Sequence, residues 1–423
     1  MPKPKIVLVG GDGRPSGVPR HILHLVDALD RYADIIVISD RDEGGYTPLA
    51  RTSARHKVVR GLTKKPSLTH QWRGISGLIS AISDQQPDLI WVHARLQVLV
   101  LRILLTLRLW RPACPVAFTH HGMPYGPGYP FWIHKLSSCL EQLLIACSSS
   151  QDLVFLNLRM AGWMARDASA KRLARHRVHT LPNCSNLRPI PASRDKSVKR
   201  IVMTGRTGHQ KDYDTAVRVL EHLPRNYRLN LCGPGTDEPD FQTHIATLVP
   251  SEIFAKIEFS GPLPDVRHAL SQADAYLLTS RYEGTPIGAL EAFEAGLPII
   301  LRNFDGAEDL ISKHPCSLMI ECADLAQDGR EITALLERYE ANRHVFSEAI
   351  KNVWQHTWST EIFNKNVLTL VQSILNRPIV PAAVTDYIHD GPALLPDLSK
   401  TADAPFPTPP PSNIDAAPSA VNV

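Results

Sequence analysis

The stretch SRYEGTPIGALEAFEAGLPII, residues 280–300, decides the fold. It follows AYLLT at 275–279, an apolar run of strand composition. Glu283-Gly284 closes that strand. Pro286 has a fixed φ and no N–H, which suits the first turn of a helix. Pro286, Leu290, Phe293 and Leu297 then recur at helical spacing and predict a core-facing stripe. Gly296 stops the helix, Pro298 blocks its continuation, and PIIL at 298–301 begins a new strand. Glu283 therefore stands at a loop–helix junction beyond the carboxyl end of a strand. Glu291 stands one to two turns inside the helix, off the apolar stripe. Between them lie the N–H groups of Gly284, Thr285, Ile287 and Gly288, with the positive helix end behind. Such a place suits phosphate or sugar oxygens, and the two carboxylates accept hydrogen bonds from hydroxyls.

The same punctuation recurs on both sides of this stretch. RIVMT at 200–204, RLNLC at 228–232 and KIEFS at 256–260 read as strands, the last two ending in Gly-Pro loops that include Gly233-Pro234. KIVLV at 5–9, DIIVI at 34–38, DLIWV at 88–92 and PVAFT at 115–119 form an earlier set. Amphipathic stretches such as HILHLVDALD separate them. Strands alternating with helices imply a parallel sheet, and ligands then bind beyond the carboxyl ends of its strands. The rhythm restarts after residue 200, so two doubly wound α/β domains are expected: 1–190, and 191–345 with the stretch just read. The join falls near 186–199. Residues 346–376 carry Trp354, Trp358, Phe363, Leu368, Val371 and Leu375 and read as a helical segment packing back across the cleft between the domains. Residues 377–423 hold ten prolines with many Ala, Ser and Asp, a composition that predicts a disordered tail.

GRTGHQK at 205–211 also follows a strand. Arg206 offers a planar fork and Lys211 a point charge, a pair suited to a diphosphate in the same crevice.

Bulk properties narrow the classes. A chain of 423 residues, 43% apolar and 21% charged, suits two soluble domains and a tail. LQVLVLRILLTLRLW at 96–110 is the most apolar long stretch. It is too short, and too interrupted by Arg102 and Arg108, to span a bilayer. The first residues read as a buried strand rather than a signal peptide. Seven cysteines with no Cys-x-x-Cys pair suggest neither a disulfide framework nor a zinc site, and a cytoplasmic setting is expected. The net charge is +4, but residues 1–190 hold 25 Lys+Arg against 12 Asp+Glu. That surplus points to an anionic partner. Arg102, Arg108, Arg111 and the Phe131-Trp132-x-His134-Lys135 segment are the groups expected to meet an anionic membrane surface. No RNA-binding, zinc-finger or helix-turn-helix pattern supports a nucleic-acid partner. Gly-x-Gly-x-x-Gly is absent after the first strand, which disfavours a dinucleotide dehydrogenase.

Taken together, these motifs resemble the retaining GT-B glycosyltransferases of family 4. The matching residues are Gly205-Arg206…Lys211 with Asp214, Leu231-Cys232-Gly233-Pro234-Gly235, Phe259-x-Gly261…Asp265-Val266, Ser280-x-x-Glu283-Gly284 and Leu290-Glu291-Ala292 with Gly296-Leu297-Pro298. Pro182-Asn183, Thr119-x-His121-Gly122 and Ser16-Gly17-Val18-Pro19-Arg20-His21 match more loosely. The resemblance implies two Rossmann-like domains facing across a cleft and a nucleoside-diphosphate sugar as donor. Arg206 and Lys211 would neutralise the diphosphate. Glu283 would contact the donor sugar's hydroxyls, helped by the backbone of Gly284, Thr285, Pro286 and Ile287. Glu291 would hold the ribose, and the base would lie near Gly233, Pro234 and Gly261–Asp265. His121 would touch the transferring sugar from the opposite domain, and Gly17 would let the first loop approach the diphosphate.

No metal and no separate cofactor is implied, because the cations take that role. The acceptor would be a saccharide, lipid-linked, in surface polysaccharide assembly on the inner face of the membrane. A GT-B phosphorylase or nucleotide-sugar epimerase is the alternative within the fold, and a non-catalytic basic binding protein the alternative outside it. Two positions depart from the pattern: one Gly rather than two follows in the first loop, and Asp212 stands where a Gly usually follows the cationic Lys.

Overall fold

Among the described residues, seven short strands pair in parallel in the first half of the chain. They are β1 (Lys5–Val9), β2 (Asp34–Ser39), β3 (Arg55–Val58), β4 (Leu89–Val92), β5 (Val116–His120), β6 (Asp152–Phe155) and β7 (Arg177–Thr180), in the order β3-β2-β1-β4-β5-β6-β7. Six more form a second parallel sheet: β8 (Lys199–Thr204), β9 (Tyr227–Cys232), β10 (Ile257–Gly261), β11 (Ala275–Leu278), β12 (Ile299–Arg302) and β13 (Ser317–Ile320), in the order β10-β9-β8-β11-β12-β13. This is a computed structural model, and it describes residues 3–63, 68–123, 130–187, 198–304 and 306–380. Much of the join read at 186–199, and the Pro-rich tail from 381 onward, lie outside the described residues.

Both sheets are covered on both faces, which is why their central strands read as continuous apolar runs. Ile6–Val9 and Leu89–Val92 are fully buried. Each sheet reverses its strand order once, between β1 and β4 and between β8 and β11. A crevice opens at each reversal, beyond the carboxyl ends of the strands. The loops after β1, β4 and β5 therefore share one crevice. The loops after β8 and β11, which carry Gly205-Arg206 and Glu283-Gly284, share the other.

The helical segment read at 346–376 consists of two helices with different partners. The helix Arg343–Thr357 buries Ile350 in the core of the second sheet, where Trp358 also packs. The helix Thr360–Leu375, capped by Ser359 Oγ, returns to the first half. Its Phe363, Val367, Leu370, Val371 and Ile374 pack with Ile22, Leu25, Val26 and Leu29 of the helix Gly17–Leu29. The chain thus crosses between the two sheets twice, which fastens the second half to the first.

The strands β3, β6, β7 and β13 went unread in the sequence. Three of these lie at sheet edges, where one flank is solvated and the apolar signal is weak. Arg102 is also corrected. It is fully buried in the helix Arg95–Thr106 and paired with Glu141, so it meets no membrane headgroup. Among the described residues no helix is long and apolar enough to cross a membrane.

Candidate active site

All twelve residues singled out as donor-site candidates line one cleft of about 470 Å³ between the two sheets. Gly17 and His121 come from the first half. Arg206, Lys211, Gly233, Pro234, Glu283, Gly284, Thr285, Pro286, Ile287 and Glu291 come from the second.

The loops after β8, β9 and β10 are stitched by backbone bonds. Gly205 N donates to Cys232 O at 2.9 Å, Gly233 N to Gly261 O at 2.7 Å and Thr207 N to Pro234 O at 3.0 Å. Gly233 has φ +144°, and a Cβ there would lie 2.0 Å from Gly205 O, so no side chain fits. This approach sets the floor of the cleft. Lys211 crosses it with its stem against Gly205, and its Nζ donates to Glu283 Oε1 at 2.8 Å. Ser280 Oγ donates to the same oxygen at 2.9 Å. Glu283 is thereby aimed and ion-paired before any ligand arrives. Arg206 is exposed at the cleft and makes no ion pair among the described residues.

The helix Ile287–Glu294 begins immediately after Pro286, which is its N-cap rather than its first residue. Glu291, read as lying off the apolar stripe, is nonetheless buried. It is 2% exposed, and Arg20 Nη2 from the first half donates to its Oε1 at 2.6 Å. The Thr285 hydroxyl is committed to Leu156 O at 3.0 Å, so what this residue offers a ligand is backbone. Gly284 lies where a Cβ would come within 2.7 Å of His121 O, which brings the two halves into contact at that point. Asn157 Nδ2 donates to Gly284 O at 3.1 Å and Asn183 Nδ2 to Thr285 O at 2.6 Å. The loop bearing Glu283 is thus held from across the cleft as well as from its own sheet.

His120 and His121 part company at the end of β5. His120 turns inward, stacks on Phe155 and is buried. His121 lines the cleft beside Glu283 and Gly284. Burial pushes both rings toward the neutral form, His120 down to about 4 and His121 well below its ordinary value. Gly17 is the first residue of its helix, and a Cβ on it would meet nothing within 4 Å. That side of the first loop is open to the cleft. A second cavity of about 240 Å³ opens beside the first and shares His121, Glu283 and Gly284 with it; His93, Met123 and Glu141 form part of its wall.

Residues 15–189 match the family model described as Glycosyltransferase Family 4, and residues 189–353 the one described as Glycosyl transferases group 1. The chain belongs to these GT-B glycosyltransferases. Among relatives of this family 4 chain, a glycogen synthase of Thermodesulfovibrio yellowstonii is 26% identical over 180 residues, 42% of this chain and 35% of that one. The chain thus spans about a third of that relative's length. A UDP-Gal:alpha-D-GlcNAc-diphosphoundecaprenol alpha-1,3-galactosyltransferase of Escherichia coli is 22% identical over 328 residues, 73% of this chain and 82% of that one. Among solved structures, Anabaena Alr3699/HepE in complex with UDP and glucose superposes with a TM-score of 0.68 at 12% identity, over 88% of this chain and 100% of that one. WaaG, a glycosyltransferase involved in lipopolysaccharide biosynthesis, gives 0.66 at 15%, over 86% and 98%. At such identities the structures attest the GT-B fold.

The fold also accounts for the departure at Asp212 in this family 4 member. Its φ of +53° is left-handed, a conformation glycine adopts freely and Asp tolerates. The buried carboxylate is held by Arg281 at 2.8 Å and Arg302 at 2.6 Å. Those pairs compensate for the side chain that a glycine would lack. Sequence reading included Arg20 and His21 in the first-loop motif without giving either a role, and missed His93. Arg20 and His21 follow the first loop directly, and His93 follows β4, so their position beyond strand ends was the available signal.

Proposed function

We propose that the chain is a retaining hexosyltransferase. It moves a hexosyl group from a nucleoside-diphosphate sugar to a saccharide acceptor, lipid-linked, in surface polysaccharide assembly. One observation carries this reading: two carboxylates, three cations and a histidine from the facing domain converge on one cleft. Arg206, Lys211 and the amides ahead of Ile287 face the leaving diphosphate. Preorganised positive groups of this kind stabilise a departing anion, and losing one costs roughly 3 kcal/mol of barrier. Glu283, aimed by Lys211 and Ser280, accepts hydroxyl hydrogen bonds from the donor sugar. Glu291 takes the ribose, and His121 approaches the sugar from the other side. The reaction keeps the anomeric configuration by front-face attack, the departing phosphate taking the acceptor's proton, and the cations serve in place of a catalytic metal. The curated name of the Escherichia coli relative, a transferase to a diphosphoundecaprenol-linked saccharide, supports the acceptor class.

The exposed face of the helix Phe131–Cys147 supports a membrane-borne acceptor. Phe131, Trp132, Leu136 and Leu143 are all more than half exposed, with Lys135 among them, in the half of the chain that carries the basic surplus. An amphipathic helix of this composition lies in the interface of an anionic membrane. On this reading the enzyme works at the cytoplasmic surface.

The test is a thermal-shift screen of nucleotide sugars followed by acceptor-dependent release of nucleoside diphosphate. The donor raises the melting point by mass action. Glu283→Ala abolishes transfer and leaves the fold intact by circular dichroism. Full activity in that variant would remove the site assignment, and release that ignores the acceptor would favour a phosphorylase or epimerase.

A further inference from the structure

His21, His93 and His121 each present one ring nitrogen, and these nitrogens lie within 4.8 Å of one another. It is the one such grouping of potential metal ligands among the described residues. The three arise from separate elements: His21 from the helix Gly17–Leu29, His93 from the end of β4 and His121 from the end of β5.

The hydrogen bonding fixes which nitrogen of His21 is free. Asn183 Nδ2 donates to Thr285 O at 2.6 Å, which turns Asn183 Oδ1 toward His21 Nδ1 at 2.7 Å. An amide oxygen only accepts, so His21 Nδ1 carries the proton and Nε2 carries the lone pair. That Nε2 is buried and has no hydrogen-bond partner. His93 Nδ1 stands 3.5 Å from His121 Nε2, too long for a good bond, so neither of these nitrogens is well satisfied. Unsatisfied buried nitrogens are costly, and here they cluster.

We propose that His21, His93 and His121 form a three-histidine site for a borderline divalent ion of the Zn²⁺ type, with a fourth position open to the cleft. A tetrahedral ion at ~2.0–2.1 Å from each nitrogen spaces them about 3.4 Å apart. The His93–His121 pair is already at 3.5 Å, and the His21 nitrogen lies within 4.8 Å of both. Asn183 supplies the outer hydrogen bond that holds a ligating imidazole in the required tautomer. Both cavities reach His121, which gives the ion a path in. A bound ion takes the His121 nitrogen that would face the sugar, so it acts as a reversible brake. Only this last consequence rests on the transferase reading; the binding does not.

The test uses the full chain without a histidine tag, stripped with a chelator and titrated with Co²⁺ and then Zn²⁺. One equivalent of Co²⁺ gives the intense visible absorption of a tetrahedral ion, and Zn²⁺ abolishes it at one equivalent. His21→Gln and His93→Gln each weaken binding at least tenfold. Absence of the tetrahedral spectrum in the unsubstituted chain overturns the site whatever the variants do. Undiminished binding in a folded double variant, checked by circular dichroism, shows adventitious binding to other histidines and overturns it equally. Neither readout needs a sugar donor, so failure here is distinct from failure of the transferase reading.

Discussion

Replacing Glu141 by Gln removes one charge from a buried pair and leaves the other. The Arg102 side chain is 0% exposed and that of Glu141 8%, with Nη1 and Oε2 2.5 Å apart. Arg102 Nε also donates to Gln151 Oε1 at 3.2 Å, so the guanidinium is fixed and has no route to solvent. Breaking such a pair by removing one partner costs about 3–5 kcal/mol, because the surviving charge stays desolvated. For a domain of this size each kcal/mol moves the melting point ~2–4 °C, so the Glu141→Gln chain should melt roughly 6–20 °C lower.

The pH dependence has a fixed sign. Burial alone pushes the Glu141 carboxyl up, yet the Arg102 charge and hydrogen bond outweigh it and hold the group below the usual range. A depressed carboxylate contributes stability above its unfolded value of about 4.3 and loses it as pH falls through the folded one. The gap between parent and variant in urea denaturation should therefore be full at pH 7 and shrink below about pH 4. The double replacement Arg102→Met with Glu141→Leu should recover most of the loss, since apolar packing commonly matches a buried ion pair. A Glu141→Gln loss under about 1 kcal/mol, or a double variant as unstable as the single, would refute the reasoning.

Gly233→Ala places a Cβ 2.0 Å from Gly205 O at a φ of +144°, and denaturant titration should show a loss of about 2 kcal/mol or more, with a smaller donor-induced thermal shift. Asp212→Asn keeps a residue that tolerates the left-handed backbone but removes the charge shared by Arg281 and Arg302; calorimetry should register about 1.5–3 kcal/mol, and Asp212→Gly should lose no less despite its easier backbone. Phe131→Glu with Trp132→Glu should cut pelleting with anionic liposomes at low salt at least tenfold and leave the melting point unchanged, since both side chains are exposed; parent protein that fails to pellet would remove the membrane reading.

What was legible in the sequence was what local chemistry dictates. The Glu283 loop and the Gly205 loop announce themselves through glycine, proline and charge at strand ends, and the cleft gathers all their candidate residues. The edge strands β3 and β7 were not legible, because RHKV and RVHT carry too little apolar signal to separate from loop. Partners distant in the chain were not legible either. Arg20 and Glu291 are 271 positions apart, and only the packing of the two halves brings them together. The same holds for Asp212: the sequence shows a missing glycine, whereas the two arginines that compensate sit 69 and 90 positions away. Eighteen histidines gave no reason to prefer His21 and His93 until the topology placed both beside His121.

The state of the two carboxylates has a mechanistic consequence on the proposed reading. Each already holds a cation of the protein, Glu283 that of Lys211 and Glu291 that of Arg20. Both are ion-paired, Glu291 buried and Glu283 largely so, and a donor does not meet bare charges. It exchanges partners instead: the diphosphate draws Lys211, and the sugar and ribose hydroxyls take the released carboxylate oxygens. The exchange at Glu283 stays within one domain, because Lys211 and Glu283 belong to the same sheet. The exchange at Glu291 does not, because Arg20 comes from the facing domain. Ribose binding therefore loosens one tie between the halves while Asn157, Asn183 and Thr285 keep the Glu283 loop pinned. The nucleotide end of the cleft is free to adjust, and the sugar end, where the geometry of transfer is set, remains fixed.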